Sequence, residues 1–315
     1  MPGLTLSADA LRTPLAAFGV LPEDQLALAV SGGPDSLALL LLAAEARPGR
    51  VMALTVDHRL RAESTAEAAE VASACAARDV PHATLRWEAR PGGNVQAEAR
   101  AARYRLMADW CASNGVRWLA TAHHADDQAE TLLMRLARGS GVAGLGGIRP
   151  LRPLARGLTL VRPLLGFAKR DLAAIVKDAG LAAADDPSNR DPAYDRTAAR
   201  ALLAATEWLD PKRLAAAADH ARDAADALDW AAERAWEGRA EWHGPDLTVD
   251  AADLPRALRF ALLQRAAAAF GAEADGPELD RLLAALSDGE TRTVGSALAE
   301  GGALWRFRPA PPRAR

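Results

Sequence analysis

The chain has 315 residues, enough for about two domains at roughly 150 residues each, and half of them are hydrophobic. Its formal charge is -3, which excludes a globally basic nucleic-acid binder but leaves room for a local basic patch. Two cysteines, Cys75 and Cys111, with no CxxC pair exclude a disulfide scaffold, a zinc site and an iron–sulfur cluster, and no apolar run approaches the ~20 residues of a membrane span.

The first eleven residues lack the basic and apolar regions of a secretory signal, so a cytoplasmic protein without membrane association is expected, its thiols free. Residues 26–30 (LALAV) form an apolar run that reads as a buried strand feeding the turn Ser31-Gly32-Gly33. A helix follows over 37–46, a strand over 51–56, a helix over 63–78 and a strand over 82–87. The pattern continues with a helix over 96–113, a strand over 118–122 and a helix over 126–138. Strands alternating with helices predict an α/β domain, a parallel sheet with helices on both faces, over residues 1–205. The stretch around 185–195 reads as irregular. From residue 206 to 315 a smaller, mainly helical domain is expected, with helices over 212–238, 255–270 and 277–286 and a small hairpin from 291–298 and 303–307. Trp208, Trp230, Trp236 and Trp242 are expected to pack between those helices. The tail, with Pro309, Pro311, Pro312, Arg313 and Arg315, reads as disordered.

Ser31-Gly32-Gly33-Pro34-Asp35-Ser36 lies between a predicted strand and a predicted helix. Glycines let the backbone turn tightly and aim N–H groups at an anion, and the helix start adds positive potential. The motif has no Lys and is not a Walker loop. Asp35 beside a polyphosphate is favourable where Mg²⁺ bridges the two. A plain capped turn is the structural alternative. Two further groupings stand out. His123-His124-x-Asp126-Asp127 suggests either Mg²⁺ held by Asp127 or a capped helix start, and zinc is disfavoured because adjacent residues point apart. Residues 131–170 carry Arg135, Arg138, Arg149, Arg152, Arg156, Arg162, Lys169 and Arg170 with no acid, a local charge of +8. That stretch is the expected RNA contact, against the alternative of solvated arginines balanced by distant acids.

SGGPDS resembles the loop of the ATP pyrophosphatase (PP-loop) superfamily. Val56-Asp57-His58-Arg59-Leu60-Arg61, the Asn94-x-Gln96-Ala97-x-Ala99-Arg100-x-x-Arg103-Tyr104 run and the segment from Thr121 through Glu130 narrow the match. So do Arg135-Leu136-Ala137-Arg138-Gly139-Ser140-Gly141 and Asp186-Pro187-Ser188-Asn189 ahead of Arg196 and Arg200. Together they resemble the tRNA(Ile)-lysidine synthetases in their short form. Where that family has Arg-Asn-x-x-Arg, this chain has Arg196-Thr197-Ala198-Ala199-Arg200 and lacks the Asn.

The resemblance implies transfer of AMP from ATP to the wobble cytidine of tRNA(Ile) bearing a CAU anticodon, then attack by free L-lysine to form lysidine. It implies ATP held by Ser31, Gly32, Gly33, Pro34, Asp35 and Ser36 with His58 and Arg103, and Mg²⁺ on Asp35 and Asp127. Catalytic roles fall to Asp35, Asp127, Glu130 and Arg100, and tRNA contacts to Arg135, Arg138, Arg149, Arg152, Arg196, Arg200 and the C-terminal domain. Asp127 and Glu130, three apart on one helix face, would take Mg²⁺ or the lysine ammonium; a solvated acidic patch is the alternative. Arg100 and Arg103 would clamp phosphate, or else pair with Glu98 or Asp109. Homodimerisation stays open. Two other readings remain: another PP-loop tRNA-modifying enzyme such as a thiolase, and a non-catalytic nucleotide- or RNA-binding module.

Overall fold

The computed structural model describes residues 8–59, 64–87, 95–183, 195–272, 274 and 276–310. The sequence features at Arg61, Asn94, 186–189 and 311–315 lie outside them. The chain divides into two compact units, Met1–Ala221 and Arg222–Arg315.

The first unit is built on a six-stranded sheet. Its strands are β1 (Leu26–Ala29), β2 (Val51–Asp57), β3 (His82–Arg86), β4 (Trp118–Ala120), β5 (Leu151–Ala155) and β6 (Leu158–Val161). They lie in the order β3-β2-β1-β4-β6-β5, parallel throughout except for the β5–β6 hairpin. The helices are α1 (Ala8–Ala17), α2 (Pro34–Ala46), α3 (Ser64–Ala76), α4 (Val95–Ser113), α5 (Ala125–Ala137), α6 (Val142–Leu145), α7 (Lys169–Asp178), α8 (Asp195–Ala205) and α9 (Pro211–Arg239), the last running on into the second unit.

Alternation along β1 explains the two-faced packing. Leu26 and Leu28 join a core with Leu11 and Leu15 of α1, Leu39 of α2, Val71 of α3 and Leu172 of α7. Ala27 points the other way, into a core with Met107 and Cys111 of α4 and Leu119 and Leu160. The expected sheet with helices on both faces is therefore observed. The chain leaves β1 toward β2 and β3, then returns to the other side as β4. That reversal opens a crevice at the carboxyl end of β1, where open α/β sheets place ligands.

The expectation of a mainly helical C-terminal domain is corrected. The second unit holds a five-stranded antiparallel sheet, order β7-β8-β11-β10-β9. Its strands are β7 (Ala240–His243), β8 (Asp246–Asp250), β9 (Thr291–Val294), β10 (Ala297–Glu300) and β11 (Leu304–Pro309), packed on α10 (Arg256–Ala269) and α11 (Gly276–Ser287). Leu247, Val249, Trp305 and Phe307 face Leu262, Leu263, Leu283 and Leu286. Strands this short give only two or three inward side chains each, too few for a clear period-two signal. The tryptophan expectation also fails for three residues. Trp208 and Trp230 are 78% and 66% exposed; Trp242, 49% exposed, lies on a strand and not between helices, its ring 5.6 Å from that of core Phe270; Trp236 packs against this core. Among the described residues, no helix is long and apolar enough to cross a membrane.

Candidate active site

The loop after β1 turns through Gly32, whose φ of +89° is a left-handed conformation that glycine adopts without strain. Gly33 caps α2, and Pro34 occupies its first turn, where no backbone N–H is needed. Ser36 is buried and braces the loop: its Oγ accepts from Ser31 N–H at 3.1 Å and donates to the Gly33 carbonyl at 2.9 Å. The Ser31 hydroxyl meets it at 3.3 Å. An added Cβ on Gly33 would meet nothing nearer than Ser31 Oγ at 3.8 Å, so the loop's front is open to close approach. This is a braced anion cradle at a helix start.

Asp35 rises from the first turn of α2 toward His124, the N-cap of α5. Three carboxylates surround that buried ring. Asp35 Oδ2 and Asp127 Oδ2 lie 3.4 and 3.6 Å from Nε2, and Asp126 Oδ2 lies 3.6 Å from Nδ1. Burial opposes the imidazolium, but the Asp35 hydrogen bond and the charges of Asp127, Asp35 and Asp126 outweigh it, and the His124 pKa is raised. In the neutral ring Nδ1 accepts from Asp127 N–H, a long 3.4 Å contact, while Asp127 Oδ2 accepts from His124 N–H at 3.1 Å. The pair forms a reciprocal cap on α5, the capped helix start expected as one of two alternatives.

His123 is neutral by contrast. Burial pushes its pKa down to about 4, with Arg162, Arg100 and Arg196 adding to the fall against Asp127. Asp127 is held ionised: burial raises its pKa, but His124, Arg196, His123 and the His124 N–H together lower it. These shifts set a pH profile. The His124 contribution to stability is fully present below 6.5 and is lost as pH rises through its folded pKa. Below 6.5 the unfolded chain takes a proton that folded His123 refuses until about pH 4, so stability also falls toward acid. Melting temperature in metal-free buffer is expected to peak near pH 6.5, and His124→Gln should abolish the alkaline decline. An alkaline limb unchanged in that variant would remove His124 as its origin.

Glu130 is 3% exposed and closed over by two arginines from α8. Arg196 Nε and Arg200 Nε donate to its two oxygens at 2.7 and 2.9 Å, and Arg196 Nη2 reaches Asp127 Oδ1 at 2.9 Å. Glu130 hydrogen bonding raises the Arg200 pKa. Arg196 and Arg200 thus pair with the acidic face of α5, where carboxylates engage their guanidiniums, while both side chains stay partly exposed. Sequence spacing alone could not show it, since the partners lie 66 and 70 residues apart.

The other expected residues divide into three places. At the end of β2, Arg103 donates to His58 Nε2 at 3.0 Å, the His58 ring meets Trp87 edge-on, and His58 Nδ1 is buried without a partner. Burial and Arg103 lower the His58 pKa. Asp57 beside it is a buried brace that accepts from Arg59 N–H, Ser64 and Thr65. In the glycine-rich segment, Arg135 donates to the Gly144 and Gly147 carbonyls, and Arg138 pairs with Asp195. Fully buried Gln128 clamps Ile148 through both its amide atoms. Gly147, at φ +65°, leaves no room for a side chain there: a Cβ would stand 2.3 Å from Gln128 Oε1. Gln128 escaped sequence reading because a buried amide carries no charge pattern. Arg100 and Arg152 flank the Tyr104 ring at 5.4 and 5.2 Å.

For a divalent cation, the fit rests on Asp35. Its Oδ1 is buried with no hydrogen-bond partner, beside ionised Asp127, next to a phosphate-type cradle. Mg²⁺ typically takes one or two carboxylates plus phosphate oxygens, and this donor set suits it. Among the described residues, no group of three or more His, Cys, Asp or Glu side chains forms a self-sufficient metal cage. Cys75 and Cys111 are fully buried, and burial pushes both thiols up to about 11, which makes them poor nucleophiles for sulfur transfer.

Comparison with known proteins agrees with this geometry. Residues 7–206 match the PP-loop domain family. A tRNA(Ile)-lysidine synthase of Novosphingobium aromaticivorans is 45% identical over 92% of this chain and 90% of its own length. That of Zymomonas mobilis is 42% identical over 92% and 89%, and that of a Bradyrhizobium species 41% identical over 100% and 97%. Among solved structures, a U34-tRNA thiolase from Methanococcus maripaludis superposes with a TM-score of 0.58 at 16% identity, over 69% of this chain and 76% of its own, a likeness of fold alone. With the braced loop, the carboxylates around His124 and near-full-length identity above 40%, the chain belongs to the tRNA(Ile)-lysidine synthase family of PP-loop proteins.

Proposed function

We propose that this chain joins free L-lysine to C2 of the wobble cytidine of tRNA(Ile) carrying a CAU anticodon, using ATP and releasing AMP and pyrophosphate in the cytoplasm. The observation that carries this reading is the convergence of Asp35 and Asp127 on His124, beside the open loop of Ser31 to Ser36.

The C2 oxygen of cytosine is a poor leaving group. Bonding it to the α-phosphorus of ATP expels pyrophosphate and makes it a good one. The lysine ε-nitrogen then bonds to C2, the C2–O bond breaks, and AMP departs with that oxygen. Loop N–H groups, Gly32, Gly33 and the two serines cradle the phosphates, and Pro34 fixes the helix start behind them. Asp35 and Asp127 would hold Mg²⁺, which would supply neutralisation of phosphate charge there. His58, at the end of β2, and Arg103 of α4, which donates to it, would take the nucleoside at that strand end. Lysine has an ordinary pKa near 10.4 and must shed a proton before attack. Ionised Asp127 orients its ammonium. Glu130, occupied by two arginines, acts by positioning: it holds Arg196 against Asp127. Arg100, exposed on α4, neutralises RNA backbone charge beside the reacting cytidine. Arg135, Arg138, Arg149 and Arg152 serve the tRNA, Arg135 by shaping the glycine-rich segment, and the C-terminal domain from residue 206 onward contributes further tRNA contact.

The test is AMP release with Mg²⁺, lysine and tRNA(Ile) bearing CAU, with a methionine tRNA of the same anticodon as control. Lysine-dependent release with the isoleucine tRNA alone is expected. Folded, ATP-binding protein that releases no AMP with that tRNA would overturn the reading.

A further inference from the structure

On the α4 face of the sheet, beyond the carboxylates, three guanidiniums gather on one phenol. Arg162 follows β6 and is 5% exposed, and its Nε is buried with no hydrogen-bond partner. Its Nη1 donates to the Arg149 carbonyl, which ties down the approach to β5. It also contacts the Tyr104 side chain. Arg100 and Arg152, both exposed, place their guanidinium carbons 5.4 and 5.2 Å from the centre of the Tyr104 ring. Among the described residues, no carboxylate pairs with Arg100, Arg152 or Arg162. Burial, together with Arg152 and Arg100, lowers the Arg162 pKa, while Tyr104 opposes the fall.

Like charges are gathered this way at a cost unless an anion joins them. Stacking on Tyr104 recovers part of that cost through cation–π attraction and leaves the guanidinium edges free to donate. The position decides which anion. Val161, Ala120 and Leu28 are level across β6, β4 and β1. Arg162 therefore stands two strand spacings, roughly 10 Å, from the loop after β1. A phosphate bound at the cluster lies sideways from the loop and belongs to a second polyanion.

We propose that Arg100, Arg152 and Tyr104, anchored by buried Arg162, form a site for a backbone phosphodiester of the RNA substrate. Arg162 is the positioning residue: it holds the phenol between the two exposed arginines. The inference rests on the tRNA reading above and adds the site to it.

The experiment measures binding of a CAU anticodon stem-loop RNA against KCl concentration, for the wild type, Arg152→Ala and Tyr104→Phe. Affinity for inorganic pyrophosphate and for ATP is measured alongside. Arg152 is exposed on the edge strand β5, so Arg152→Ala should fold normally. It is expected to weaken RNA binding about tenfold and to reduce the slope of log K against log salt by about 0.9, with ATP and pyrophosphate affinities within twofold. Tyr104→Phe keeps the ring but loses the hydroxyl beside Arg162, and should give a smaller loss in the same direction. An unchanged salt slope in Arg152→Ala, with a wild type that binds and modifies tRNA, would overturn this site and leave the enzyme reading standing. Loss of pyrophosphate or ATP affinity with RNA binding intact would assign the cluster to the nucleotide instead. A wild type that binds no RNA would remove both readings.

Discussion

Asp35→Asn is expected to reduce lysine-dependent AMP release about a thousandfold, roughly 4 kcal/mol of transition-state stabilisation, while the protein stays folded. The asymmetry follows from where the two oxygens sit. Among the described residues Oδ1 is buried with no hydrogen-bond partner, so the fold gains no hydrogen bond from it. Oδ2 contributes only a 3.4 Å contact with His124, which Asp127 and Asp126 also face. His124 keeps Asp127 and Asp126 as partners when Asp35 is neutralised. The charge matters when phosphate must be neutralised at the loop. Measured side by side, AMP release and a thermal melt give a clear outcome. Normal AMP release by Asp35→Asn would take Asp35 out of the metal-binding role, and a collapsed melt would make it a structural residue.

Glu130→Ala is expected to lower stability by about 2 kcal/mol, a fall in Tm of about 4–8 °C for a unit of this size. Loss of one partner from a fully buried ion pair costs more, about 3–5 kcal/mol, because a charge is stranded. Here Arg196 and Arg200 are 42% and 40% exposed and can turn to water, which discounts the cost. Activity should fall as well, by tenfold or more, because Arg196 loses one of its two anchors beside Asp127. Glu130→Gln, which keeps acceptor geometry at one oxygen, should recover part of both losses. The double variant Glu130→Ala with Arg200→Met should be less destabilised than the sum of the single changes, because the pair is coupled. An unaltered melt for Glu130→Ala would show that the buried pair contributes nothing to holding α8 on α5.

The nucleotide end of the site was legible because it is local. Strand, glycine turn and helix lie within one short segment, 26–46, and each signals itself: an apolar run, a residue free to take φ +89°, a proline at the first turn and a carboxylate beside it. The acidic face of α5 was legible for the same reason, as a three-residue spacing on one helix. Charges read along the chain do not show which distant acids meet them. Arg196 and Arg200 look like free cations in the chain, yet their acids lie on another helix. Of the C-terminal sheet only the strands near 291–307 were anticipated, as a hairpin; β7, β8 and the joining of all five were not, because strands of four to six residues carry little periodicity and β8 pairs with β11 across more than fifty residues.

Sequence by itself determined the α/β alternation, the phosphate-type loop and the acid-rich helix start, because each depends on φ/ψ preference, burial period or helix position within one short segment. Tertiary structure alone decided which charges meet. It closed Glu130 with two arginines from α8, set three carboxylates around His124, and brought Tyr104, Arg152 and Arg162 together from a helix and both strands of a hairpin. A charge's pKa and role depend on neighbours within a few ångströms, and sheet order brings those neighbours together from positions far apart in the chain.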